Sequence, residues 1–215
     1  MTIRFDDRVA IVTGAGGGLG RDYALALAAR GCKVLVNDLG GARDGSGSSI
    51  GAAQVVVDEI VAAGGEAIAN GASVTDDAAV EKMVAFVKER WGRIDILINN
   101  AGILRDKTFG KMNLDDFRQV LDVHLMGSII CTKAVWATMR EQTFGRILMT
   151  TSSSGLYGSF GQANYSAAKL GLVGLMKTLT LEGAKYGIKL NAIAPVAATR
   201  MTEDLMPPEM LAKMG

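Results

Sequence analysis

Cysteine, proline and histidine are all scarce in this 215-residue sequence, with two, three and one copies respectively. Two thiols, Cys32 and Cys131, are too few for a disulfide framework, so both read as reduced and buried in a cytosol-like compartment. A single histidine without a cysteine cluster cannot supply the usual zinc shell, and no metal is expected. The shortage of proline beside 27 glycines fits tight backbone turns better than proline-rich linkers. A net charge of +1 leaves no basic field for nucleic acid and no acidic tail for a basic partner. No apolar run approaches the ~20 residues of a membrane helix. The N-terminal MTIRFDDRVAIVTG carries charges where a secretory signal would carry its apolar core, and the terminal LAKMG matches no anchor or retention signal. A cytoplasmic location follows as the expectation. Residues are 49% hydrophobic and 21% charged, a globular composition long enough for one domain over 1–215 with a substantial core.

Short apolar runs at Val9–Val12, Lys33–Val36, Ala67–Ala69, Ile94–Ile98, Arg146–Met149 and Lys189–Ile193 read as strands. Helical periodicity fills the segments between them: Leu19–Arg30, Ile50–Ala63 with Val56, Ile60 and Val61 on one side, and Ala79–Arg90 with Val80, Val84 and Val87. Thr75 is the expected cap of the third helix, and Asn113 that of the next. A long helix is expected from Gln162 to about Tyr186. Strands apolar throughout, joined by helices, predict an α/β fold: a three-layer, doubly wound parallel sheet of Rossmann type. The biased segment GGARDGSGSS, Gly40–Ser49, reads as a flexible loop within that single domain.

After the first strand comes TGAGGGLG, Thr13–Gly20. A tight turn there aims backbone N–H groups and a helix N-terminus at a phosphate. Gly14 would make the exit from the strand, Gly18 and the adjoining Leu19 would sit against a pyrophosphate, and Gly20 would let the helix lie on the sheet. Gly16 also leaves the common G-x-G-x-x-G spacing available. Asp38 ends the second strand about 20 residues beyond the turn, where an acid accepts from an adenosine ribose. It would repel a 2′-phosphate, which favours NAD over NADP; the plainer alternative is that Asp38 caps the loop that follows.

Thr13–Gly20, Asn99-Asn100-Ala101-Gly102, Tyr165-x-x-x-Lys169 and a serine thirteen residues before the tyrosine together resemble the short-chain dehydrogenase/reductase family, from about residue 6 to residue 200. VNDLGG, NNAGILRDK, YGSFGQANYSAAKLGL and APVAATRMT are further similar to the (3R)-hydroxyacyl-CoA dehydrogenase domain of peroxisomal multifunctional enzyme type 2. The resemblance implies a homodimer or tetramer that uses NAD to interconvert a (3R)-hydroxyacyl-CoA and a 3-ketoacyl-CoA. It implies a peroxisomal location if the chain is an excised domain of such an enzyme. An NADPH-linked 3-oxoacyl carrier-protein reductase, a steroid-type dehydrogenase and a dinucleotide-binding regulator without turnover are the alternatives.

The chemistry expected of these residues centres on Tyr165 and Lys169, four apart on one helix and so on one face. An ammonium nearby should lower the phenol from its ordinary pKa of about 10 and let Tyr165 exchange a proton with a substrate oxygen. Family spacing selects Ser152, over Ser153 and Ser154, to hold that oxygen. His124 stands where many relatives carry an asparagine whose backbone carbonyl holds a relay water. A structural or relay role is favoured for it over a direct acid/base one. The resemblance also places Asn99, Asn100, Ala101 and Gly102 beside the adenosine and ribose, Val74 beside the adenine, and Pro195 and Thr199 beside the nicotinamide. Residues from about 196 to 215, with Met201, Leu205 and Met206, read as an apolar flap over the substrate. Relatives continue through one more strand, which this chain is expected to lack.

Overall fold

The computed structural model describes residues 3–196. Thr199 and all of the expected flap beyond Val196 therefore lie outside the described residues.

Six parallel strands form one sheet in the order β3-β2-β1-β4-β5-β6. They are β1 (Val9–Thr13), β2 (Lys33–Asn37), β3 (Ala67–Asn70), β4 (Ile96–Asn99), β5 (Gly145–Thr150) and β6 (Ile188–Ile193). Side chains alternate across each strand, so β1 sends Val9 and Ile11 to one face and Ala10 and Val12 to the other. On the first face lie α3 (Asp77–Trp91), α5 (Gly127–Glu141) and α7 (Ala163–Gly183), which contribute Met83, Val135 and Leu172 to the core. On the second lie α1 (Gly18–Ala28) and α2 (Gly51–Ala62), with Ala24, Val56 and Ile60. This is the doubly wound sheet expected. Strand order reverses between β1 and β4, which puts the natural ligand crevice at the carboxyl ends of those two strands.

Local signals explain several element ends. Asp76, not Thr75, caps α3: its carboxylate accepts from Ala79 N at 3.0 Å, while the Thr75 hydroxyl pairs with Ser73 at 2.8 Å. Gly92 then ends α3 in the left-handed region at φ 74°. Asn113 caps α4 (Leu114–Leu121) by accepting from Asp116 N at 2.6 Å. Along α2 it is Val57 that joins Val56 and Ile60 in the core, whereas Val61 faces outward.

A π turn over Asp122–Met126 joins α4 to α5, so Leu114–Glu141 is one helical run of 28 residues. By length and composition alone that run could cross a membrane, contrary to the expectation from the sequence. It packs on the sheet instead, with Cys131, Val135 and Met139 buried in the core. Cys32 and Cys131 are both free and buried, and burial pushes each thiol up to about 12.

Gly40–Ser49 is not the loose loop expected. Its ends close on each other, with Ser49 N donating to Leu39 O at 2.8 Å and Ala42 N to Ser46 O at 2.7 Å. Its tip is tied to the segment after β4, where Leu104 N donates to Arg43 O at 3.0 Å.

Candidate active site

A cleft of about 1110 Å³ opens at the carboxyl ends of β1, β2, β4 and β5. Its floor is built from the glycine turn and the Asn99–Gly102 segment. Thr13 Oγ1 accepts from the amides of Asn100 (3.0 Å) and Ala101 (3.1 Å). The Asn100 side-chain amide donates back to the carbonyls of Thr13 (3.1 Å) and Gly14 (3.0 Å). Gly14 has φ 62°, and a Cβ there would stand 2.7 Å from Ala101 Cα, so the close crossing of the two segments requires glycine. Gly20 lies beneath the turn, packed against the Gly14 carbonyl and the Asn100 amide, and lets α1 approach the sheet. Gly18, Leu19, Asn100, Ala101 and Gly102 face the cleft. Asn99 does not: it is buried on the core side, donating to Thr132 Oγ1 at 3.1 Å.

Asp38 lies at the opposite wall, and both of its oxygens accept backbone amides: Gly40 N at 2.6 Å and Gly16 N at 2.7 Å. The first bond is the loop cap that the sequence allowed as an alternative. The second, to the glycine turn itself, had no sequence signal. Together they hold a carboxylate rigidly at the cleft edge. Val74 and Pro195 line the same cleft, Val74 largely buried. Such a groove, with free backbone edges and one fixed acid, fits a dinucleotide in size and in donor set.

At the other end of the cleft lie Ser152, Tyr165 and Lys169. Ser152 leaves β5 and caps the short helix α6 (Ser153–Tyr157), its Oγ accepting from Ser154 N at 3.2 Å. Tyr165 enters on the first turn of α7, and Lys169 one turn later. The Lys169 ammonium is buried, donates to Thr150 O at 2.6 Å and stands 5.4 Å from the Tyr165 ring centroid. Burial pulls it down to about 7. Tyr165 moves the other way from expectation. Burial raises its pKa above the ordinary value, the Asp106 carboxylate adds to the rise, and only the Ser152 hydrogen bond opposes it. Burial of the phenol sets the direction of the shift.

His124 sits in the π turn, 2% exposed, with its ring edge-on to Tyr165 at 5.1 Å. Its Nε2 either accepts from the Ile103 amide (3.1 Å) or donates to the Ile103 carbonyl (2.8 Å), according to tautomer. Nδ1 is buried without a hydrogen-bond partner among the described residues. Burial, then the Lys169 charge, pulls the imidazole down to about 3, so it is neutral at physiological pH and ill-suited to act as an acid. Its backbone carbonyl accepts from Ser128 Oγ at 2.7 Å.

A polar frame around Tyr165 escaped the reading of the sequence. Asn164 is fully buried; its Oδ1 accepts from Tyr165 N at 2.8 Å and its Nδ2 donates to Arg105 O at 3.1 Å. Gln162 donates to Asp106 at 2.7 Å, and Lys107 N donates to Gly161 O at 2.9 Å. The start of α7 is thus stitched to residues 105–107. The one available signal was a pair of amides, Gln162 and Asn164, just before the tyrosine.

Comparison with known proteins agrees with this geometry. Residues 8–209 match the short chain dehydrogenase family. The peroxisomal hydratase-dehydrogenase-epimerase of Saccharomyces cerevisiae is 56% identical over 213 residues, which is 99% of this chain and 23% of that protein. Mus musculus peroxisomal multifunctional enzyme type 2 is 54% identical over 209 residues, 97% of this chain and 28% of its own length. The chain therefore spans about a quarter of the length of either relative. A 7α-hydroxysteroid dehydrogenase complexed with NADH and 7-oxo glycochenodeoxycholic acid superposes with a TM-score of 0.88 at 30% identity, covering 98% of this chain and 79% of that one. The chain belongs to the short-chain dehydrogenase/reductase family, oxidoreductases that act on CH–OH groups with a nicotinamide dinucleotide.

Proposed function

We propose that this chain uses NAD to interconvert a (3R)-hydroxyacyl-CoA and a 3-ketoacyl-CoA. The observation that carries the reading is the convergence of Ser152, Tyr165 and buried Lys169 at one end of a cleft whose other end holds the Asp38 carboxylate. The nicotinamide, when bound, supplies the hydride acceptor or donor. Everything else falls to the chain. Ser152 Oγ holds the substrate oxygen. Tyr165 Oη takes the hydroxyl proton in oxidation and returns one to the carbonyl oxygen in reduction. Lys169, raised toward its charged form by a developing phenolate, stabilises that phenolate. His124 positions the tyrosine ring, and its backbone carbonyl would hold a relay water. The dinucleotide contacts proposed are Gly14, Gly18 and Leu19 at the pyrophosphate, with Gly20 acting beneath them by letting α1 lie on the sheet, Asp38 and Val74 at the adenosine, and Asn100, Ala101, Gly102 and Pro195 along the ribose and nicotinamide. Thr199 would complete that last group.

Asp38 supports NAD over NADP, because a 2′-phosphate would meet a fixed carboxylate already oriented by two amides. The apolar Tyr157 and Phe160, 87% and 91% exposed beside the catalytic end, suit an acyl chain. Both peroxisomal relatives carry a comparable segment within a longer enzyme, and a peroxisomal setting is proposed for this chain if it too belongs to one. Exposed Leu170 and Leu181 on α7 suit the homodimer or tetramer expected. The test is NADH formation from (3R)- and (3S)-3-hydroxyacyl-CoA, with NADP in parallel. Turnover of the R form with NAD supports the proposal; turnover of the S form alone, or with NADP alone, overturns it.

A further inference from the structure

The loop Gly40–Ser49 does more than connect β2 to α2. Gly41, Ala42, Arg43 and Gly45 form part of the cleft wall, and Ile103 and Leu104 form another part. The loop tip meets that second wall at three places. Leu104 N donates to Arg43 O (3.0 Å), Arg105 Nε donates to Asp44 O (2.9 Å), and Gly45 lies against Ile103. The loop is therefore a strap across the dinucleotide end of the cleft, fastened on the far side by residues 103–105.

The Arg105 side chain in that fastening has a second anchor. Its Nη1 donates to Asp116 Oδ1 at 2.6 Å, and the Asp116 side chain is only 12% exposed, on α4. The guanidinium thus spans from α4 to the strap, a planar fork serving two acceptors in two directions. The backbone of the same residue holds Asn164, whose side chain accepts from the Tyr165 amide. One residue touches the strap, the rigid helix behind it and the platform that carries the tyrosine.

We propose that Arg105 is a positioning residue, a latch that holds the Gly40–Ser49 strap closed over the dinucleotide and slows its entry and exit. The inference rests on the reading that this cleft binds a dinucleotide, but the fastening is made wholly of contacts within the chain and can be tested without the ligand. The strap forms part of the wall at this end of the cleft, so opening the fastening would widen the path for binding and release. Lysine keeps the charge opposite Asp116 yet lacks the fork, so it should not restore the strap contact.

The experiment has two arms, run on wild type, Arg105→Ala, Arg105→Lys and Asp116→Asn. Hydrogen exchange of ligand-free protein reads strap opening; stopped-flow NADH fluorescence reads association and dissociation rates. The latch predicts faster exchange confined to residues 40–49 in both Arg105 variants, and NADH on- and off-rates both raised about tenfold, the scale of losing one charge-assisted hydrogen bond. Asp116→Asn, which leaves Arg105 in place but weakens its anchor, should shift both in the same direction by less. Unchanged strap exchange, or an off-rate that rises while the on-rate falls, overturns the latch. Full rescue by lysine also overturns it, since a simple ion pair would then suffice. Wild type that fails to bind NADH overturns the dinucleotide reading, while the ligand-free exchange still judges the latch.

Discussion

The imidazole of His124 stands edge-on to the ring of Tyr165, 5.1 Å between centroids and 87° between planes. The same imidazole lies over Gly102, where a Cβ would come within 2.9 Å of Nδ1 and closer still to Cε1. One buried ring therefore fixes the tyrosine from the side and the β4 turn from above. Substituting Gly102→Ala should displace His124 or the turn and destabilise the protein by about 1–3 kcal/mol, the usual cost of overpacking. Thermal denaturation reads the loss. A matching fall in turnover, larger than the fall in NADH binding, shows that the tyrosine moved with the histidine.

His124 also carries a pH signature. Its folded value near 3 lies below the ordinary 6.5, so the unfolded chain takes up the proton first as pH falls. The histidine thus contributes stability that is full above about 6.5 and is lost as pH drops toward 3. Melting temperature measured from pH 7 to pH 4 should fall more steeply for wild type than for His124→Asn. Parallel curves contradict a buried neutral imidazole.

The protonation of Tyr165 gives an independent test. Oxidation needs the phenolate, whose formation burial and Asp106 disfavour and the Ser152 hydrogen bond favours. The rate of alcohol oxidation should climb with pH above neutrality. Ser152→Ala should move that climb to higher pH as well as slowing the reaction, whereas Asp106→Asn should move it to lower pH. The pH profile of kcat/KM decides, and coincident midpoints for all three proteins would refute the assignment.

Asp38 makes a third handle. Its two amide bonds tie the glycine turn to the strap's root, so Asp38→Asn keeps one acceptor oxygen while removing the charge. Discrimination between NAD and NADP should fall by about tenfold or more through weaker repulsion of the 2′-phosphate. Paired titrations with NADH and NADPH measure it; an unchanged ratio places the source of cofactor choice elsewhere.

How much of this could be read in advance follows from range along the chain. Strands and helices were legible because their apolar period is local: β5 came out within a residue at each end, and α7 within one at its start and three at its end, where a 3-10 turn over Ala184–Tyr186 follows it. The order of Thr13–Gly20, Asn100–Gly102, Ser152 and Tyr165-x-x-x-Lys169 was legible for the same reason. Features set by distant or tertiary contacts were not. The capping role of Asp76 depends on which of two adjacent residues turns inward, a matter of backbone angle that Thr75 and Asp76 do not reveal. The packing of Gly40–Ser49 depends on Arg105, some sixty residues away, and composition alone reads such a loop as loose. The direction of the Tyr165 shift depends on how deeply the fold buries the pair. Proximity to Lys169 was visible from the four-residue spacing; the desolvation that raises the phenol was not.

The most direct test of the central claim compares wild type with Tyr165→Phe on (3R)-3-hydroxyacyl-CoA and NAD, with NADH binding measured on both proteins. Removing one hydroxyl from a well-packed ring leaves the fold and the dinucleotide groove alone. The account predicts NADH affinity within about twofold of wild type and turnover reduced by 10²–10⁴-fold or more, the span of general acid–base catalysis. A Tyr165→Phe protein that binds NADH and still oxidises the substrate at a wild-type rate would contradict it.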